Sequence, residues 1–297
     1  MAKSAKETYE EITNTILAHM EEAQEKGTQF TLPFAQAGGL AVNAETKKPY
    51  QGINQLILGL HGQRYYGTYR TWQRLGAQVR KGEKGIVITK FDMIKEKNPE
   101  DPANPQYFPL LKRHVVFGAD QVDGWDAPAE ETDSVASEQE VNENVESWVA
   151  DTKADICHSP SARAYYQPSL DAIHMPNREL FRGTPTSSAT EAYYSTLLHE
   201  LTHWTGSAKR LNRLKDSRFG DKDYALEELV AELGAAYLCA GLGVSVAVRE
   251  DHAHYLNSWI KALKNDKKAI FKAASAAQKA VNWLNDAVDN ERKEEAA

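Results

Sequence analysis

Apolar positions along the chain fall into blocks of different period. Over residues 3–26, Tyr9, Ile12, Ile16 and Met20 recur at three- and four-residue steps and Gly27 follows, which predicts an amphipathic helix with a stop signal. From residue 30 to 120 the pattern shortens. The run Ile86-Val87-Ile88-Thr89-Lys90-Phe91 and residues 114–117 read as strands of a small sheet. A Pro- and Asn-rich stretch, 98–109, is expected to be a long loop before the second of them. Residues 165–176 alternate as a hairpin does. A helix is predicted over 190–204 with Gly206 closing it, a second over 224–240 closed by Gly241, and a long Ala/Lys-rich helix or helix pair over 252–290. Strands followed by consecutive helices make an α+β fold.

Composition adds the organisation. Of 297 residues, 41% are hydrophobic and 26% charged, the balance of a globular chain with room for two domains. No apolar run approaches the ~18 residues that span a bilayer, and the polar first ten residues lack a secretory apolar core. Cys157 and Cys239 stand far apart with no CxxC spacing. These features point to a soluble cytoplasmic protein with no membrane partner. The net charge of -7 conceals a partition: residues 47–90 hold nine bases and a single acid, Glu83. Residues 126–146 are acidic and poor in bulky side chains, as in a mobile linker. The expected division is an N-terminal α+β nucleic-acid-binding domain (1–125), an acidic linker (126–146) and a C-terminal domain (147–297).

The chemistry concentrates in the C-terminal part. His199-Glu200-Leu201-Thr202-His203 is an HExxH string inside a stretch without Pro or Gly. On a helix, His199 and His203 project from one face one turn apart and can share a zinc ion, while Glu200 beside them can act as general base toward the attacking water. A third protein ligand is needed. The string continues to Gly206, but Lys209 stands where a third His would follow, and a protonated lysine ligates nothing. A Glu from the next helix is the other solution. Glu228 and Glu232 share a face, whereas Glu227 is rotated by about 100°. Glu228 is assigned to the metal and Glu232 to the outer N–H of His199 or His203, with Glu232 as ligand the alternative. Tyr224, His252, His254 and Tyr255 all stay open as oxyanion donors.

The basic window has its own chemistry. Lys47, Lys48, Arg64, Arg70, Arg74, Arg80, Lys81 and Lys84 interleave with rings such as Tyr66 and Trp72. Cations track phosphates, and aromatic faces stack on unpaired bases without demanding a sequence. This set is the expected single-stranded DNA contact, although a domain this small must also spend several of its rings on its core.

The motifs in combination resemble the ArdC family of plasmid antirestriction proteins. In the C-terminal part the residues are His199 to Gly206, then Lys209-Arg210-Leu211-Asn212-Arg213 and Tyr224 to Leu233. In the N-terminal part they are residues 43–50, Gly52-Ile53-Asn54, Thr68-Tyr69-Arg70-Thr71-Trp72 and residues 76–85, which are also similar to the N-terminal region of conjugative primases. The resemblance implies a single-stranded DNA-binding domain and a zincin-like, Spartan-like metallopeptidase domain. It also implies protection of incoming plasmid DNA from host restriction. Two readings compete: a DNA-tethered zinc peptidase acting on a protein substrate of unknown identity, and a DNA-coating protein whose metal site is structural or vestigial. A DNA mimic would need a broad acidic surface, which only the linker provides.

Overall fold

The structure, a computed structural model, describes residues 3–26, 39–96, 106–128, 138–183, 187–214, 222–244 and 252–295. Helix α1 (Ala5–Glu25) begins at a capping box, in which Ser4 accepts from the Glu7 N–H and Glu7 accepts from the Ser4 N–H. Ile12, Ile16 and Met20 are buried, as their spacing requires. Beyond α1, β1 (Val42–Asn43), α2 (Ile53–Gly59), β2 (Tyr65–Gly67), α3 (Tyr69–Arg74) and β3 (Gln78–Val79) lead into β4 (Ile86–Glu96) and β5 (Gln106–Gly118). One sheet has the order β1-β2-β5-β4, and β3 pairs with β6 (Val122–Asp123).

The strands β4 and β5 are much longer than their apolar cores suggest. They run antiparallel from Ile86↔Val116 to Glu96↔Gln106. Residues 106–109 therefore belong to a strand, correcting the expected loop over 98–109, of which 98–105 lie outside the described residues. Pro109 is tolerated opposite Met93 because a two-stranded ribbon is all edge, and the missing N–H faces no third strand.

The C-terminal half opens with α4 (Glu138–Asp151), then a three-stranded sheet of β7 (Asp155–Ser159), β8 (Tyr165–Gln167) and β9 (Ala172–Pro176) in the order β7-β9-β8. The predicted hairpin is β8–β9, and β7 joins β9 in parallel. Helices α5 (Ala189–Trp204), α6 (Lys222–Leu242), α7 (His252–Asn265) and α8 (Ala269–Glu295) follow. Among the described residues no helix is long and apolar enough to cross a membrane.

One expectation about organisation needs correction. Residues 138–146 of the expected linker are the first turns of α4, whose Val145, Trp148 and Val149 are buried; residues 129–137 lie outside the described residues. The acidic run hid an apolar stripe at Val141, Val145, Trp148 and Val149. The largest core draws on both halves of the chain. Ile12, Ile16 and Met20 of α1 and Ile53, Leu56 and Ile57 of α2 belong to one cluster with α5, α6 and α8. Backbone groups seal the junction: Gly52 N–H donates to Gln278 Oε1 (2.9 Å), and Tyr237 Oη donates to the Gly52 carbonyl (3.0 Å). A smaller core of Val42, Tyr65, Trp72, Val79 and Val122 stays within the N-terminal half.

Candidate metal centre

Helix α5 starts at Ser188, which caps the Glu191 N–H while Glu191 accepts from the Ser188 N–H. From there it runs unbroken through the HExxH string, so His199, Glu200 and Thr202 are all buried. Helix α6 is apolar nearly all round and lies against it. Gly234 sets their separation: a Cβ there would stand 2.5 Å from Thr202 Cγ2 and 2.7 Å from its Oγ1. Thr202 cannot turn aside, since its hydroxyl donates to the Leu198 carbonyl (2.9 Å) and a β-branched side chain in a helix has few rotamers. Close approach at Gly234 brings the preceding turns of α6 up to the two histidines.

The result gathers His199, His203 and Glu228, one donor atom of each lying within 4.8 Å of the others. The two Nε2 atoms face each other at 3.1 Å. Glu228 offers Oε2 to His199 Nε2 at 3.5 Å and Oε1 to His203 Nε2 at 3.4 Å. Donors ~2.0–2.1 Å from a tetrahedral ion stand about 3.4 Å apart, so these spacings suit a divalent transition metal at their centre. Charge agrees. Burial alone would raise the Glu228 carboxyl, yet its bonds to His199 and His203 hold it well below the usual carboxylate range. Burial disfavours a charged His203, and its bonds to Glu227 and Glu228 outweigh that and raise it to about 10. A buried carboxylate between two imidazoles needs positive charge from a proton or a cation.

Two different acids stand behind the outer nitrogens; Glu227 bonds His203, while His199 Nδ1 is buried with no hydrogen-bond partner among the described residues. Glu232 Oε1 lies 3.6 Å from His199 Nδ1, in ion-pair range and longer than a hydrogen bond. Glu227, set aside in the sequence because of its rotation, lies 3.3 Å from His203 Nδ1. The two rings are inclined at 77°, so their outer edges point toward different faces of α6, and neighbouring positions on that helix meet them. Glu227 is gripped by Arg213, with Nε to Oε2 at 3.1 Å and Nη2 to Oε1 at 3.0 Å. The same guanidinium donates to Thr205 Oγ1 (2.9 Å) and the Thr202 carbonyl (2.8 Å) at the end of α5. Gly206 makes this possible. The Arg213 N–H donates to its carbonyl at 2.8 Å, and a Cβ at Gly206 would lie 2.9 Å from the His203 carbonyl oxygen. The signal for Glu227 was present: three acids on a buried helix each need a partner.

Arg210 completes the strap after α5. It stacks on Trp204 at 3.9 Å and pairs with Asp171 in the β8–β9 turn, tying the helix to the sheet. Of the open oxyanion candidates, Tyr224 stands within 6.2 Å of Tyr255 and bonds Tyr255 and Glu228. Burial, then those two neighbours, push its phenol well above the ordinary value. The side chains of His252 and His254 lie outside the described residues.

Several of the expected DNA contacts are buried or paired within the chain. Tyr66 and Trp72 are fully buried, with Tyr66 Oη donating to the Leu58 carbonyl (2.9 Å) and Trp72 Nε1 to the Phe117 carbonyl (3.0 Å). Both are corrected to core residues, because no base can reach their faces. Arg74 is locked to Glu45 (2.8 and 2.6 Å), and Arg80 lies between Glu83 (3.1 Å) and Asp123 (3.4 Å). Lys47 sits over Tyr65 at 4.5 Å, and the Arg64 guanidinium lies 5.8 Å from the same ring. Lys48, Arg70, Lys81 and Lys84 are exposed.

Comparison with known proteins bears on both halves. Residues 6–117 match the model of the N-terminal domain of anti-restriction factor ArdC, and residues 143–276 match that of a zincin-like metallopeptidase. The chain is 37% identical over 292 residues to the uncharacterized protein y4eC of Sinorhizobium fredii (strain NBRC 101917 / NGR234), covering 93% of this chain and 91% of that one. It is 34% identical to DNA primase TraC of Escherichia coli, where the match takes in 96% of this chain and only 27% of the primase. Among solved structures, the antirestriction ArdC protein from plasmid R388 is 38% identical, with 95% of this chain and 98% of that one covered. The TM-score is 0.76 for its metal-free form and 0.73 for its Mn(II)-bound form. With both domain models in order and a full-length structural match, this chain belongs to the ArdC family of antirestriction proteins.

Proposed function

We propose that this chain acts in the cytoplasm as an antirestriction protein that binds single-stranded DNA and carries a zinc-dependent peptidase site, protecting incoming conjugative plasmid DNA from host restriction. One observation carries the enzymatic part: two imidazole Nε2 atoms and both oxygens of Glu228 converge around one point, with Glu200 buried beside them. His199, His203 and Glu228 would hold the ion, and three protein ligands leave a tetrahedral corner open. The solved R388 relative binds Mn(II), and the imidazole-rich set here favours zinc. A bound zinc supplies Lewis acidity, which makes water a better nucleophile and polarises a substrate carbonyl.

The chain's own residues do the rest. The Glu200 carboxylate takes the proton of the attacking water and passes it to the departing amine. Glu227 fixes the His203 imidazole from behind, and the Glu232 carboxylate stands in ion-pair range of His199. The substrate is a protein, and tethering to single-stranded DNA raises its local concentration at the site. In support of the DNA part stand the basic window over 47–90 and the similarity to a DNA primase and to the N-terminal domain of anti-restriction factor ArdC.

Glu200→Gln tests the catalytic reading. The variant should retain stoichiometric zinc by elemental analysis and lose cleavage of fluorescent casein, measured with and without oligo(dT), by on the order of a hundredfold or more. Cleavage by Glu200→Gln at the wild-type rate would overturn the role of Glu200.

A further inference from the structure

We propose that the groove between α3, β3 and the end of β5 is the nucleotide-binding site of the N-terminal half. Tyr69 serves there as the stacking platform, and Arg70 and Lys81 as the phosphate contacts. This assignment rests on the reading that the chain binds single-stranded DNA, and it moves the contact away from Tyr66 and Trp72.

Three independent features single out this groove. Its volume is about 540 Å³, and Tyr69, Gln78, Arg80, Lys81, Phe117 and Asp123 are among its lining residues. That size falls within the ~300–1,000 Å³ range of small-ligand pockets. Second, Tyr69 is the one exposed aromatic ring in residues 47–90: it is 43% exposed, Tyr50 is half-buried, and Tyr65, Tyr66 and Trp72 are buried. Third, an unpaired cation of the window, Lys81, lines the groove, and Arg70 and Lys84 are chain neighbours of lining residues. Glu45 neutralises Arg74, Glu83 and Asp123 neutralise Arg80, and Asp92 neutralises Lys90. Lys48, Arg70, Lys81 and Lys84 are exposed and make no ion pair among the described residues.

The groove is also preorganised. Gln78 Nε2 donates to Tyr69 Oη at 3.0 Å and to the Val79 carbonyl at 2.9 Å, which fixes the ring at the mouth. An ordered ring loses little freedom when a base stacks on it. Paired Arg80 and Asp123 offer donors and acceptors to a base edge, while Arg70 and Lys81 remain for phosphates. A duplex hides its base faces, so the ligand class is an unpaired nucleotide strand.

Fluorescence anisotropy of the full chain with labelled oligo(dT) tests the assignment, with circular dichroism to establish that each variant folds. Tyr69→Ala should weaken binding about fivefold or more, and Tyr69→Trp should stay within about twofold of wild type. Lys81→Glu should weaken binding and flatten the slope of log K against log salt by about 0.7. Phe91→Ala, on the exposed part of the β4–β5 ribbon, should bind as wild type does. If the wild type binds and both Tyr69→Ala and Lys81→Glu match it, the groove is the wrong site. The same holds if Phe91→Ala alone loses binding. If the wild type binds no single strand, the broader DNA reading falls as well.

Discussion

An imidazole ligand is only as good as the group holding its other nitrogen. His203 makes that dependence concrete: Glu227 takes its Nδ1, and Arg213 takes both oxygens of Glu227 while anchoring on the Thr202 carbonyl and the Thr205 hydroxyl at the end of α5. Arg213 is thus a positioning residue two bonds removed from the metal position. Outer partners of this kind typically contribute 10–100-fold to metal affinity. Glu227→Gln and Arg213→Ala should each weaken zinc binding by about that much, measured by calorimetric titration. Arg213→Lys should fall between, since an ammonium cannot reproduce the two-pronged contact. Unchanged affinity in Arg213→Ala would separate the strap from the site. At this scale the HExxH residues and their direction were legible from spacing alone, because helical periodicity decides which face a side chain leaves from. It could not separate Tyr69 from Tyr66 and Trp72, since a ring reads the same whether it faces solvent or core.

Elements matter here through one contact. The approach of α5 and α6 at Gly234 and Thr202 determines whether Glu228 reaches both histidines. Gly234→Ala should strain that contact and destabilise the fold by ~1–3 kcal/mol, read by urea unfolding, and should weaken zinc binding in the fraction that folds. Wild-type stability together with wild-type affinity would mean that the helices can part without consequence. A glycine in a helix costs about 1 kcal/mol relative to alanine and reads in sequence as a weak point; its use appears only beside its neighbour. Two other elements were misjudged for physical reasons. The ribbon was cut short because Pro and Asn usually end strands, a rule that lapses where both strands are edges. The start of α4 was concealed by its charge, although its apolar residues keep helical spacing.

On the scale of the whole molecule, the two halves share their largest core. A chain beginning at residue 138 would lose Ile12, Ile16, Met20 and Leu56 from that cluster, and with them the hydrogen bond from Tyr237 to Gly52. Burying one such side chain contributes roughly 1.5–3 kcal/mol. The truncated chain should therefore melt well below the full chain and bind a hydrophobic dye, followed by circular dichroism and fluorescence. Equal melting temperatures would show that the C-terminal half stands alone. Joint packing also places the metal centre in one core with α1 and α2, and residues 138–146 are helix rather than mobile tether.

The sequence by itself determined the helices that carry the chemistry, the paired histidines with Glu200 between them, and the family, because periodicity, capping and motif spacing are local properties of the chain. Tertiary structure alone decided which acid meets which nitrogen, which rings are core, and which cations are paired. Those outcomes depend on the distance between elements far apart in sequence, and that distance is set by side-chain volume at contacts such as Gly234 against Thr202.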